Sequence, residues 1–284
     1  MKDSIKKRIV ESLIDQKEIF GDELFEKNLL KRKTALDFNT GKNVKNEAAL
    51  KNKSNIQAKP EEIEKTIHIP AHRVHKKQAE EGILFEEPKE AWELSKELDE
   101  LNKLICDCQK CPLGATRNKF VFGSGNSNAN VLVIGEGPGA DEDAQGLPFV
   151  GRAGKLLTDI LKAINFSREE VYIANVIKCR PPGNRTPYPQ EMDTCLPYLK
   201  KQIELINPKL ILCLGLTAAQ GLLKKKESLT NMRGKFFEFE NKKVMVTYHP
   251  AALLRNPNWK RGCWEDVQKF RKLYDEEILK DGQN

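Results

Sequence analysis

The first ninety residues contain no cysteine, tryptophan or tyrosine, and they are dense in lysine and glutamate. A segment this poor in large apolar side chains cannot easily offset the entropy of ordering a chain. All seven cysteines and all three tryptophans of the 284-residue chain lie downstream. The boundary is therefore placed near residue 88: a charged N-terminal extension over 1–88, largely disordered or partly helical, and a folded domain over 89–284. Within the extension, IKKRIVESLIDQ puts Ile5, Ile9, Leu13 and Ile14 on one helical face, a surface for a protein partner. The stretch from Lys33 to Lys65 has no apolar period and reads as linker.

Long apolar runs are also missing. No stretch approaches the roughly 18 residues of a membrane span, and residues 1–20 are charged throughout, unlike a signal peptide. The expectation is a soluble, cytoplasmic protein with no membrane partner. In that reducing compartment seven cysteines read as metal or cluster ligands, or as buried thiols, rather than disulfides. Histidine is scarce as well. Three of the four, His68, His72 and His75, fall in the extension. Pro70 breaks their helical spacing and no acid or cysteine joins them, so they are expected in solvent. The core keeps one histidine, His249. A net charge of +7 and a pI near 8.9 fit a polyanionic partner without requiring one.

What is present is a regular alternation. Residues 89–105 carry Trp92, Leu94, Leu98, Leu101 and Ile105 at helical spacing. Four short apolar runs follow: NVLVIG (130–135), VYIANVI (171–177), KLILCLG (209–215) and KVMVTYH (243–249). Helical patterns separate them, over 153–164, 191–206 and 217–226, and another over 264–280 closes the chain. Near-continuous apolar strands alternating with helices predict a three-layer α/β/α domain with a central four-stranded parallel sheet. No internal repeat is present.

The unusual sequence lies directly after three of these strands. GEGPGADED follows the first, KCRPPGNRTP the second, and HPAALLR closes the fourth. Open α/β sheets bind ligands beyond the carboxyl ends of their strands, so the three motifs describe one site. The residues alone leave their roles open. Phe149, flanked by proline and glycine, either forms a stacking platform or plugs its loop onto the core. Asn175, on an apolar strand face, either reads a ligand edge or ties down a loop; buried and unbonded it would be costly. His249 is held extended by Pro250 and is either a donor into the site or structural. A dinucleotide site, suggested by the glycines at 135–139, fits poorly with Pro138 and the acidic loop.

Taken together, CQKC (108–111), GEGPGADED (135–143), GLPFVGRAG (146–154), NVIKCRPPGNRTP (175–187), Cys195 and HPAALLR (249–255) resemble the family 4 uracil-DNA glycosylases, the iron–sulfur class of bacteria and archaea. The resemblance spans about residues 100–275. It implies base flipping followed by hydrolysis of the uracil–deoxyribose bond, as in base excision repair, on single- or double-stranded DNA, by a monomer. It implies uracil binding by Gly137, Phe149, Asn175 and His249. His249 would donate to uracil O2, and Glu136 and then Glu142 are the candidate catalytic carboxylates. In the wider superfamily a carboxylate often stands where this chain has Gly137. Arg180, Asn184, Arg185, Leu253 and Arg255 are the implied DNA contacts, Leu253 as the wedge that fills the flipped nucleotide's place, with Arg152 and Lys178 nearby. Cys108, Cys111, Cys179 and Cys195 are implied to hold a structural [4Fe–4S] cluster. Four cysteines alone leave zinc open, and Cys106 is an alternative ligand. Cys213 and Cys263 are expected in the core. A non-catalytic iron–sulfur module that binds nucleic acid or senses redox state is the competing reading, and intact Phe149, Asn175 and His249 argue against it.

Overall fold

The computed structural model describes residues 89–281, with side chains over 89–277. The expectations for 1–88 lie outside the described residues.

The four predicted strands form, and they pair in parallel. They are β2 (Val131–Gly135), β3 (Tyr172–Asn175), β4 (Leu210–Leu214) and β6 (Lys242–Thr247), in the spatial order β3-β2-β4-β6. The sheet is larger and mixed, which corrects the four-stranded expectation. The two-residue β1 (Ser124–Gly125) adds antiparallel to β3, and β5 (Phe236–Phe239) adds antiparallel to β6. Neither edge strand carried a usable signal. β1 is too short for a period, and β5 leaves Phe236 exposed at a solvent edge.

Alternation of side chains across the central strands divides the interior in two. Leu132, Ile134, Ala174, Ile211, Cys213, Val244 and Val246 face one way. That face is covered by α1 (Leu98–Ile105), α5 (Pro189–Ile206), α6 (Leu216–Leu223) and Met232, at the end of α7 (Leu229–Met232). Val131, Val133, Ile173, Leu210, Leu212 and Met245 face the other way. They pack under α4 (Arg152–Ala163), Leu253 of α8 (Pro250–Arg255), and α9 (Lys260–Asp281). Cys213 and Cys263 are both core residues. The segment read as an acidic loop contains the short helix α3 (Ala140–Gln145), and a second short helix, α2 (Leu113–Thr116), lies between α1 and β1. The single helix expected over 89–105 is interrupted. Its first turn is a 3₁₀ segment over Ala91–Leu94, and the Ser95 hydroxyl bonds back to the Trp92 carbonyl, so α1 begins only at Leu98.

One buried ion pair locks α9 to β6 just below the site. Asp266, 1% exposed, accepts from Arg233 at 2.8 and 3.1 Å and from the Thr247 hydroxyl at 2.8 Å. Thr247 is the last residue of β6, two positions before His249. Removing one partner of a buried pair leaves a stranded charge, a loss of about 3–5 kcal/mol. Arg233→Ala is therefore expected to destabilise the domain by about 3 kcal/mol, read as a lowered midpoint in urea unfolding. A midpoint unchanged within error would show that α9 is held by apolar packing alone.

Candidate active site

A cavity of about 400 Å³ opens where β2, β3 and β6 end. Glu136, Gly137, Phe149, Asn175, His249 and Arg255 line it. The strand-edge expectation thus holds for residues from three separate motifs.

Asn175 ends β3. Its side chain is buried, and Oδ1 has no hydrogen-bond partner. An unmet buried acceptor costs about 1–3 kcal/mol, and this one sits in the cavity wall. Its neighbour across the sheet, in direct register, is Gly135. A side chain there could not be accommodated: a Cβ would stand 2.4 Å from Asn175 Oδ1 and 2.5 Å from the Phe149 ring. The missing side chain lets ring and amide close on one space.

Phe149 takes a left-handed backbone, φ 53°, which is strained for a bulky residue. Arg168 holds it there, donating to the Phe149 carbonyl at 2.9 Å and the Pro148 carbonyl at 2.8 Å. The Phe149 ring is 6% exposed, and its centroid lies 5.6 Å from that of His249. The ring both packs on the core and faces the cavity, so the two sequence alternatives are not exclusive.

His249 is the N-cap of α8, and its Nδ1 accepts the Ala251 backbone N–H at 3.1 Å. The proton of the neutral ring is thereby assigned to Nε2. Burial pushes its pKa down from 6.5 to about 4, with the nearby Arg255 charge lowering it further and Glu142 opposing. At neutral pH the ring is an uncharged donor.

The carboxylates separate by environment. Glu142 lines the cavity and also clamps its loop: it accepts the backbone N–H of Gly139 at 3.1 Å, Val150 at 2.9 Å and Gly151 at 3.0 Å. Asp143 is a second clamp, bound to the backbone of Asn118 at 2.9 Å and its side chain at 2.7 Å. Glu136 remains a half-buried carboxylate on the cavity wall. At Gly137 a Cβ would meet the buried Ile177 side chain at 2.6 Å, so a carboxylate at this position would displace core packing.

On the rim, Arg255 and Asn184 are exposed. Arg180 donates to Asn184 Oδ1 at 2.7 Å. Arg185 is bidentate to Glu191 at 2.7 and 2.8 Å and stacks on exposed Tyr188, 3.8 Å from its ring centroid. Two expectations are corrected. Leu253 is wholly buried against the core because α8 turns it inward, while Leu254 is 46% exposed. Lys178 is also wholly buried, beneath the site rather than around it.

The four cysteines converge from three segments. Cys108 Sγ accepts from Tyr198 Oη at 3.4 Å and from the Lys110 N–H at 3.5 Å. Cys179 Sγ accepts from Arg117 at 3.4 Å. Arg117 also grips the Cys108 and Cys106 carbonyls at 2.6 and 2.9 Å. Donors aimed at sulfur are what cluster thiolates require. Burial pushes Cys179 up to about 11 and Cys195 up to about 12, so as free groups they are neutral thiols; bound metal would deprotonate them. Among the described residues no group of three or more His, Cys, Asp or Glu side chains is placed to hold one metal ion. Four cysteine thiols with donors aimed at their sulfurs fit a [4Fe–4S] cluster, and the same four could ligate zinc. Cys106 turns away, bonding to the Lys103 carbonyl at 3.6 Å. Arg117, Tyr198 and Arg168 were missed from sequence; single polar residues outside any motif carry no signal of such contacts.

Comparison with known proteins now decides the family. The Uracil DNA glycosylase superfamily model matches residues 122–268. A type-4 uracil-DNA glycosylase of Archaeoglobus fulgidus is 44% identical over 184 residues, covering 62% of this chain and 92% of that protein. The chain belongs to the type 4 uracil-DNA glycosylases. A family member from Thermotoga maritima is 44% identical over 63% of this chain and 97% of its own. A type-5 uracil-DNA glycosylase of Pyrobaculum aerophilum is 30% identical, over 45% of this chain and 64% of that protein. No described helix is long and apolar enough to cross a membrane.

The low pKa of His249 has a signed consequence. Its folded value lies below its unfolded value, so its contribution to stability is full above about pH 6.5 and is lost as pH falls toward about 4. The His249 ring resonances should report a neutral Nε2–H tautomer at pH 6, with protonation only near pH 4. An imidazolium at pH 6 would show that the ring is less enclosed than its packing implies.

Proposed function

We propose that this chain is a DNA repair enzyme that flips uracil out of DNA and hydrolyses its N-glycosidic bond, leaving an abasic site. The observation that carries this reading is the unpartnered Asn175 Oδ1, buried in a cavity wall beside an aromatic ring. Uracil supplies what that acceptor lacks, an N3–H, while the amide NH₂ donates to O4. Cytosine, with an unprotonated N3 and an amino group at position 4, presents the reverse.

The steps follow from the groups in place. Phe149 stacks on the extruded base. The C1′–N1 bond breaks with its electron pair passing to uracil, and His249 Nε2–H donates to O2 as charge develops there. Water adds to C1′, with Glu136 orienting it and stabilising the cationic sugar, and the proton the water sheds passes to the uracil anion, which leaves as neutral uracil. Arg255, Arg180 and Asn184 contact phosphate, giving affinity that falls with salt. Exposed Leu254, rather than Leu253, is the residue on α8 free to enter the duplex. Cys108, Cys111, Cys179 and Cys195 hold a [4Fe–4S] cluster, which ties the α1–α2 segment to β3 and α5 and supplies no step of the hydrolysis. We read the protein as a cytoplasmic monomer acting on single- or double-stranded DNA, with residues 1–88 an appendage for DNA or a protein partner.

Release of free uracil from a labelled single-stranded oligonucleotide tests the activity. Asn175→Asp and Asn175→Ala should each lower kcat/KM by about 100-fold or more, in the range seen when a transition-state donor is lost. Parental rates in both would make the amide structural. The cluster is tested separately: the purified protein should be brown, Cys179→Ala and Cys195→Ala should lose iron and stability together, and Cys213→Ala should keep both. Stoichiometric zinc without iron or sulfide, after anaerobic preparation, would reject the cluster. Residues 89–284 alone should fold, keep iron and excise uracil; an insoluble truncation would move the domain boundary.

A further inference from the structure

Tyr188 is 57% exposed, although Pro187 before it is buried. Prolines on both sides leave its backbone little freedom. It takes an extended conformation, φ −70° and ψ 152°, as the N-cap of α5. Its N–H donates to Glu191 Oε2 at 2.7 Å, and the same buried carboxylate receives both arms of the Arg185 guanidinium. One buried acid therefore fixes the backbone that carries the ring and the cation that covers one face of it. Arg185 is the ring's one aromatic or cationic partner among the described residues. Arg185 and Thr186 line the cavity, so Tyr188 stands two residues from its wall. A lone exposed aromatic is ordinary. One braced through its backbone and along one face, beside a binding cavity, calls for a ligand.

We propose that Tyr188 is a stacking platform for the base next to the flipped nucleotide, and that Arg185 supports the ring rather than binding phosphate. This rests on uracil in DNA as the occupant of the cavity. The charge of Arg185 is already met, bidentately, by Glu191, so its donors are spent. Its flat guanidinium backs the aromatic ring instead. Turning one base out of a strand leaves its neighbours without a stacking partner. An aromatic face offers a substitute that any base can use. Arg180, Asn184 and Arg255, on the same rim, remain for the phosphates. Because the Tyr188 backbone is already fixed, little ordering cost is set against the contact.

The test uses the full-length protein and single-stranded oligonucleotides. Tyr188→Ala should raise the KM for uracil excision by about 5–100-fold, the range for losing one base–aromatic stack, with kcat altered far less. Tyr188→Phe keeps a ring and should recover most of the loss. The slope of log affinity against log salt should hold in Tyr188→Ala and in Arg185→Gln, because neither removes a phosphate contact. A slope smaller by about one in Arg185→Gln would return that residue to the phosphates and overturn its part. A base-free spacer on one side of the uracil should make parent and Tyr188→Ala bind alike. An unchanged KM in Tyr188→Ala, or a difference that persists with the spacer on either side, would overturn the platform. Tyr188→Ala removes only an exposed ring and carries the test if Arg185→Gln, which strands the Glu191 charge, does not fold. Affinity for a strand without uracil separates this proposal from the activity. An inactive parent whose binding still depends on Tyr188 would sink the hydrolysis alone; binding indifferent to Tyr188→Ala would sink the platform.

Discussion

An acceptor left unbonded in a protein interior is a standing cost, and the Asn175 Oδ1 atom imposes one on this fold. Such an atom persists only where its surroundings prevent it from finding a partner. Here the strand end is fixed by register to Gly135, the missing Gly135 side chain admits the Phe149 ring, and Lys178 fastens the Asn175 carbonyl from below. Each contact removes a way for the amide to turn aside. The site is thus prepared for its ligand by restraint of the backbone more than by any single strong interaction.

The same logic explains where the acids of the glycine-rich motif go. GEGPGADED looks like a catalytic cluster because four carboxylates are crowded into nine residues. Two of them are consumed by backbone N–H groups. Glu142 satisfies three such donors across the turn into α4, and Asp143 ties the motif to Asn118. Their work is to hold the Phe149 loop in a conformation a bulky residue resists, with Arg168 closing it from the other side. Glu136 lines the same cavity but stands outside that network of side-chain bonds.

The sheet, the order of its helices and the strand edge that carries the site were legible because apolar periodicity and motif position are local signals. β2, β3, β4 and β6 each appear as an uninterrupted apolar run. Phe149, Asn175 and His249 stood out because each breaks the pattern around it. What sequence could not show was orientation. Leu253 and Leu254 are adjacent leucines in a six-residue helix, and only the packing of α8 against α4 decides which is buried. Lys178 illustrates the same limit: within a basic motif its charge suggested phosphate, yet its place after β3 turns it into the core. Arg117 and Tyr198 reach the cysteines from positions 62 and 90 residues from the sulfurs they touch, and no local pattern reports such contacts.

Neutral His249 completes the argument about charge. A cation stabilises an anion more strongly than a neutral donor does, and Arg255 stands close enough to depress the histidine. The structure instead places an uncharged donor at the centre and the cation at its edge. An imidazolium there would also attract the phosphates and acids around the cavity before any bond had begun to break, so part of its stabilisation would be present in the ground state. In the proposed mechanism a neutral Nε2–H, fixed by the bond from Ala251 to Nδ1, gains most as negative charge grows on the base. The α8 N-terminus therefore selects the tautomer, and burial selects the charge. Both follow from where HPAALLR meets the end of β6.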